Sequence, residues 1–233
     1  MKAMIFAAGE GRRMRPLTLT TPKPLLTVAG RSLLEHQIRK LVDAGVHHVV
    51  INVAYLAEQI VEQLPNMTPE SVRIDVSLED EPLETGGALL HAQHYLAEEP
   101  FLLVNADVWC DIDYSILIKQ NLYLNTLAHL VLVDNPEHNK AGDFYLNKQG
   151  YVCNKTDKTS MPLLTLSGIS IIHPQILALN KTANKKFPLR DLLLSAMIEH
   201  KVKGEYFSGF WCDIGTPERL QMVDEHLNDV NSF

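Results

Sequence analysis

Short apolar runs alternating with amphipathic segments are the feature that most limits what this chain can fold into. The stretch from Lys2 to Ala7 is apolar almost throughout, as expected of a strand covered on both faces of a parallel sheet. Ser32 then precedes apolar residues at Leu33, Leu34, Ile38, Leu41 and Val42, with Glu35 three positions on and Gly45 just beyond. That spacing predicts a helix opened by a capping box and closed by glycine. HHVVINV reads as a second strand, LAEQIVEQL as a helix, VRIDVSLE as a third strand, GGALLHAQHYLA as a helix and FLLVNAD as a fourth strand. Strands and helices at this spacing imply right-handed βαβ crossovers and a mainly parallel sheet, hence an α/β fold. Ligands of such sheets lie at the carboxyl ends of the strands. Three segments fall there: the loop 9–23, PLETGGA, and NAD at 105–107.

Beyond Cys110 the pattern changes to short strands, among them AHLVLVD, DFYLN, YVCN and LLTLSGISII, with fewer helices between them. A mixed or antiparallel extension follows, suited to the wall of a pocket. Helices are expected near 189–200 and 217–228, flanking a strand in GFWCDIG. A length of 233 residues with 46% hydrophobic content suffices for one α/β core. One domain spanning 1–233 is therefore expected, with a first part over about 1–110 and a second over about 111–233.

The net charge is −7, which argues against nucleic-acid or anionic-membrane partners, since both require a basic face. The charge is uneven, however. Lys2, Arg12, Arg13, Arg15 and Lys23 stand against Glu10 in the first 25 residues, so a small anion is the expected ligand of that segment. Cys110, Cys153 and Cys212 are odd in number and show no CxxC spacing, indicating neither a disulfide framework nor a zinc knuckle. No apolar run approaches the roughly 20 residues a membrane span needs, and the opening lacks the h-region of a secretory signal. A cytoplasmic protein is expected.

Gly9-Glu10-Gly11 lets backbone amides approach a phosphate closely. No GK[ST] follows, as a Walker A loop would require. A dinucleotide fingerprint also fails, because Met14 occupies the third glycine position and no acidic residue ends VVINV. Taken alone, the segment reads equally well as a glycine turn with solvated arginines. Lys23 lies between Pro22 and Pro24, whose restricted backbones would hold its ammonium over the loop. Asp107 and Asp213 each end an apolar strand. Such carboxylates suit Mg²⁺, though either one could equally be a helix cap or turn residue. His91 and His94 lack the glutamate of HExxH, so a surface helix is favoured over zinc.

Together AAGEGRRMRPLTLTTPKPLL, PLETGGAL, NAD and WCDIGT resemble the motifs of the sugar-1-phosphate nucleotidyltransferases, in the same order along the chain. Within that family, PLETGG, HLVLVDNPEHN, GDF, LTLSGISIIHP and the compact length bear a closer resemblance to the uridylyltransferases that act on N-acetylmuramate 1-phosphate in cell-wall (peptidoglycan) recycling. The resemblance implies a three-layer α/β/α domain, UTP and a sugar 1-phosphate as substrates, Mg²⁺ as cofactor, and release of pyrophosphate. It places Ala7, Ala8, Gly9, Gly11, Gly86 and Gly87 around the nucleotide, with Arg13 and Lys23 as the catalytic cations. Asn105, Gly142, Ser167 and Gly168 would face the sugar, and Asp107 and Asp213 would hold the metal. One departure stands out: relatives carry a Val-Glu-Lys-Pro-like segment where this chain reads YVCNKTDK. Glucose-1-phosphate thymidylyltransferase and mannose-1-phosphate guanylyltransferase activities are alternatives of the same chemistry. A non-catalytic sugar-nucleotide sensor is the alternative of another kind, disfavoured because Arg13, Lys23, Asp107 and Asp213 are all present.

Overall fold

The computed structural model describes residues 1–96, 99–119, 125–156 and 161–230. The first part of the chain holds β1 (Lys2–Phe6), β2 (Thr27–Val28), β3 (Arg31–Ser32), α1 (Leu33–Asp43), β4 (His48–Val53), α2 (Ala57–Met67), β5 (Arg73–Leu78), α3 (Glu84–His91), α4 (Gln93–Leu96), β6 (Phe101–Asn105) and β7 (Val108–Cys110). It is followed by α5 (Tyr114–Lys119), β8 (Ala128–Val133), β9 (Phe144–Leu146), β10 (Val152–Asn154), β11 (Leu163–Ile172), α6 (Leu189–Ile198), β12 (Val202–Tyr206), β13 (Trp211–Asp213) and α7 (Pro217–Val230).

Nine strands form the main sheet, in the order β10-β9-β11-β6-β1-β4-β5, with β8 joined to β11 and β12 to β8. The block β6-β1-β4-β5 is parallel throughout. Its register sets Phe6 beside both Asn52 and Asn105, so three strand ends finish at one level. From β6 outward the pairing turns antiparallel through β11, β8, β9 and β10, and β12 lies parallel to β8. This is the mixed extension expected after Cys110.

Helices cover both faces, giving three layers. Leu34, Ile38 and Leu41 of α1, Ile60 and Leu64 of α2, and Leu117 of α5 bury against one face. Ala88 and Leu89 of α3, and Leu192, Leu193 and Ala196 of α6, bury against the other. Each buried leucine or isoleucine contributes about 1.5–3 kcal/mol, and the 3.6-residue period of α1 is what aims three of them at the sheet. A third, smaller cluster joins Met14, Leu26 and Val28 to Cys212, Ile214, Val223 and Leu227. Through it α7 clamps the basic loop against the ribbon of β7 and β13.

Several local details differ from expectation. Ser32 accepts from the Glu35 amide at 3.0 Å, but arginines a turn away on either side, Arg31 and Arg39, pair with the Glu35 carboxylate and draw it from the cap, so only half of the box forms. The single helix expected from GGALLHAQHYLA starts earlier, at Glu84, and breaks at Ala92 into α3 and α4; its last residue, Ala97, lies outside the described residues. Asp157 and Lys158 of YVCNKTDK also lie outside them. Strand β12 had no sequence signal, because VKGEY alternates weakly and centres on Gly204. A Cβ at Gly204 would come within 2.7 Å of the Leu130 carbonyl oxygen, so close strand approach selects glycine there.

Candidate active site

A cleft of ≈ 220 Å³ opens where the parallel strands end, lined by Ala7, Ala8, Gly9, Lys23, Asn105 and Asp107 on one side. Gly11 has φ +62°, and a Cβ on it would stand 3.0 Å from Thr18 Cγ2 and 3.1 Å from Lys23 Cβ. Both the left-handed backbone and the tight packing require glycine. Lys23 begins a short 3₁₀ turn after the extended Pro22, is only 8% exposed, and forms an ion pair with Asp107. A lysine so nearly buried is stable only with such a partner, and the prolines fix where that partner must be.

Asp107 and Asp213, far apart in sequence, are brought side by side by the β7–β13 ribbon. Asp213 pairs in register with Val108, and the Ile214 amide donates to the Asp107 carbonyl oxygen at 2.7 Å. Gln37 and Lys40 of α1 tie the ribbon down through the carbonyls of Val108 and Cys110. The Lys40 ammonium lies 4.7 Å from the Tyr114 ring centre, and its burial pulls its pKa below the usual lysine range. Asp213 is itself paired with Arg219 and lies 2.9 Å from His138. Among the described residues no group of three or more His, Cys, Asp or Glu side chains converges. Asp107 on the cleft wall and Asp213 on the neighbouring backbone nonetheless offer the donors that suit a hard cation, which takes its other ligands from phosphate and water.

The guanidinium of Arg13 comes within reach of Gly215: a Cβ there would stand 3.0 Å from Arg13 Nη2, with Arg219 closer still. The two arginines thus converge beside Asp213. Not every cation counted in the basic segment joins them. Arg12 pairs with Glu10 at 2.6 Å at the surface, holding that carboxyl below the usual range. Lys2 sits at the far end of β1 and donates to the Tyr95 carbonyl at 2.6 Å.

Gly86 and Gly87 are buried, and both amides donate to the Phe187 carbonyl, at 2.9 and 3.0 Å. Side chains at these positions would overlap the Phe187 ring and the Lys185 carbonyl. The structure therefore spends these glycines on admitting the 185–187 segment, and the residues that face the cleft are Glu84 and Thr85. Across the cleft, Asn105 lies against Gly168, where a Cβ would stand 2.7 Å from Asn105 Nδ2. Gly168 has φ +82° in the irregular stretch of β11 between Leu166 and Ser170. The Ser167 carbonyl accepts from Trp211 Nε1 at 2.9 Å, so Asn105, Ser167 and Gly168 form one patch next to β13. Gly142 stands apart, against Leu163 and Asn135, in a network in which Thr165 donates to Asn135 at 2.9 Å and Asp143 accepts from the Leu166 amide at 2.9 Å.

Sequence reasoning missed several residues. The Ala7 amide donates to Asn52 Oδ1 at 3.0 Å, Asn52 Nδ2 donates to Glu79 at 2.8 Å, and the Leu83 amide donates to Glu79 at 3.0 Å. Both Asn52 and Glu79 are 3% exposed. The available signal was a polar residue at or just after the end of an apolar strand, the same signal that singled out Asp107. Nothing local marked His138 or Arg219, since their significance is contact with Asp213.

Fold and site together define an α/β nucleotidyltransferase arrangement: a glycine loop and a fixed lysine at the ends of parallel strands, with Asp107 and Asp213 on neighbouring backbone where the β7–β13 ribbon meets them. The sequence matches the family described as nucleotidyl transferase over residues 2–230, and the chain belongs to that family, whose members are enzymes that transfer nucleotidyl groups and generally depend on a divalent metal. It is 41% identical over 224 residues to the N-acetylmuramate alpha-1-phosphate uridylyltransferase of Neisseria meningitidis serogroup B, covering 95% of this chain and 96% of that one. It is 32% identical to mannose-1-phosphate guanyltransferase beta-A of Xenopus laevis over 94% of this chain, and it spans 62% of that longer protein. Among solved structures, HddC from Yersinia pseudotuberculosis superposes with a TM-score of 0.77 at 24% identity, covering 97% of this chain and 99% of that one. UDP-glucose pyrophosphorylase from Acinetobacter baumannii gives 0.80 at 20% identity, covering 97% and 92%. These last two likenesses concern the fold.

Proposed function

We propose that the chain works as one domain that transfers a uridylyl group from UTP to N-acetylmuramate 1-phosphate, releasing pyrophosphate and forming UDP-N-acetylmuramate, in the cytoplasm and as part of peptidoglycan recycling. The observation that carries the reading is the Lys23–Asp107 ion pair in the cleft beside the glycine loop, supported by the 41% identity over nearly the whole chain.

In this reading the amides of Ala8 to Gly11 and the side chains of Arg13 and Lys23 hold the triphosphate. An oxygen of the sugar phosphate attacks the α-phosphorus, the bond from that phosphorus to the β-bridging oxygen breaks, and pyrophosphate leaves with the electron pair. Lys23 and Arg13 stabilise the charge that accumulates on the leaving group, which is the main service a protein can offer phosphoryl chemistry. Asp107 and Asp213 would hold Mg²⁺, which when bound neutralises phosphate oxygens. Lys23 and Arg219 orient the two carboxylates through their ion pairs. Asn105, Gly142, Ser167 and Gly168 position the sugar, and Ala7 with the 84–87 turn frames the base. Holding both substrates in line makes a covalent intermediate unnecessary.

The test is pyrophosphate release with UTP and Mg²⁺, comparing N-acetylmuramate 1-phosphate with the N-acetylglucosamine and glucose 1-phosphates and repeating the assay without metal. Metal-dependent release with the muramate sugar is the expected result. Release only with another sugar phosphate, or only with GTP or dTTP, overturns the substrate and keeps the chemistry. Absence of turnover across the panel in protein that still binds UTP overturns the enzyme reading in favour of a sensor.

A further inference from the structure

Muramate differs from glucosamine by a lactyl ether that ends in a carboxylate, so an enzyme that selects the muramate sugar gains from a cation placed on its sugar side. One arginine there has no assigned work. Arg190, in the first turn of α6, lies with its guanidinium carbon 4.7 Å from the Phe144 ring centre and its Nη1 3.7 Å from Asp143 Oδ1. That separation is an ion pair without a hydrogen bond, and among the described residues Arg190 makes no other polar contact. Its side chain is 37% exposed, so its remaining N–H groups face open space.

Its neighbour in the chain is tied to the cleft wall. The adjacent Leu189 amide donates to Thr85 Oγ1 at 2.8 Å, and Thr85 lines the cleft. Opposite, Asp143 follows Gly142 and is fixed by the Leu166 amide at 2.9 Å and Asn139 Nδ2 at 3.2 Å. Asp143 therefore directs Oδ1 at one edge of the guanidinium and leaves the other edge open. A planar guanidinium held against an aromatic ring, with donors left over from its ion pair, is suited to a carboxylate approached in its own plane. Arg12 and Arg219 are both already engaged by carboxylates at hydrogen-bond distance.

We propose that Arg190 is a specificity residue that binds the lactyl carboxylate of the sugar substrate. This rests on the muramate reading given above. The expected contribution is that of a hydrogen bond to a charged group, about tenfold to a hundredfold in affinity.

The experiment measures kcat and KM for pyrophosphate release with UTP and three sugars: N-acetylmuramate 1-phosphate, its lactyl carboxamide, and N-acetylglucosamine 1-phosphate. The wild-type protein, Arg190→Gln and Arg190→Lys are compared, with thermal melting as a check on folding. The wild type is expected to favour the acid over the carboxamide at least tenfold in KM. Arg190→Gln should lose that preference, and its ratio of kcat/KM for muramate over glucosamine should fall by about the same factor. Arg190→Lys, which keeps the stem over Phe144 and the charge but not the fork, should fall between the two. An unchanged ratio in either folded variant overturns the proposal, as does equal loss for all three sugars, which would place Arg190 on the shared 1-phosphate. Wild-type protein that prefers the carboxamide also overturns it. If the wild type turns over glucosamine 1-phosphate but not the muramate sugar, the substrate reading itself fails, and that outcome is separate from the variants' behaviour.

Discussion

The two sides of the cleft are built in different ways. On the side proposed for the nucleotide, parallel strands end at one level and the loop between Ala7 and Lys23 is set by backbone: glycine at positive φ and flanking prolines. On the sugar side, antiparallel strands and an irregular β11 carry a network of side chains, Asn135, Asn139, Asp143 and Thr165. Backbone amides suit the phosphates that all nucleoside triphosphates share and do not tell one base from another. A side-chain site can be re-cut by single substitutions, so substrate choice belongs on that side.

The comparison can be broken most forcefully at the chemistry both sides serve. Lys23→Ala should lower kcat by about 10²–10³, read by pyrophosphate release, and Asp107→Ala should cost at least as much. Near-wild-type turnover in either would remove the reading of this cleft as a place where charge moves. A matched pair of glycine substitutions separates the halves. Gly11→Ala pushes on Thr18 and Lys23 and should raise the KM for UTP. Gly168→Ala pushes on Asn105 and should raise the KM for the sugar phosphate, each carrying about 1–3 kcal/mol of backbone strain. If both variants move the same KM, the division is wrong.

Gly87→Ala acts on folding and not on either KM, since its Cβ meets the Lys185 carbonyl oxygen, a backbone atom. Overpacking of this kind costs about 1–3 kcal/mol, measurable as a lower urea midpoint. A loss of UTP affinity without loss of stability would instead put this glycine in the nucleotide site. The smallest effect concerns the thiols at the ribbon. Burial pushes both Cys110 and Cys212 up to about 11 from a reference of 9.0. The unfolded chain then releases these protons first, so their contribution to stability holds below about pH 9 and is lost as pH rises towards 11. At pH 8.5 alkylation should therefore reach the half-buried Cys153 before either of the other two, with peptide mapping as the readout.

Much of this was legible in the sequence because one-dimensional periodicity reports burial. The parallel block was readable from Ile5, Val50, Ile51 and Val104, whose runs admit only strands covered on both faces. The glycine loop and Lys23 were readable because conformational demands at a single position restrict the residue that can fill it. Strand β12 and the short ribbon of β2 and β3 were not, since each draws its stability from partners rather than from its own pattern. The same holds for Glu79, Arg190 and Arg219. Their meaning lies in what faces them across the fold, namely Asn52, Asp143 and Asp213, and no local spacing encodes that. The charge count misled in a similar way, for Lys2 lies near the basic loop in sequence and at the opposite end of a strand in space.

The β7–β13 ribbon has a consequence for the order of events during synthesis. Its second strand is contributed by nearly the last part of the chain, so a polypeptide still emerging from the ribosome carries its glycine loop and Asp107 long before Asp213 exists. Such a chain carries the partners of the Lys23–Asp107 ion pair but not those of the Arg219–Asp213 pair. Closure of the ribbon therefore waits for residues 211–213, long after the glycine loop and Lys23 have been made.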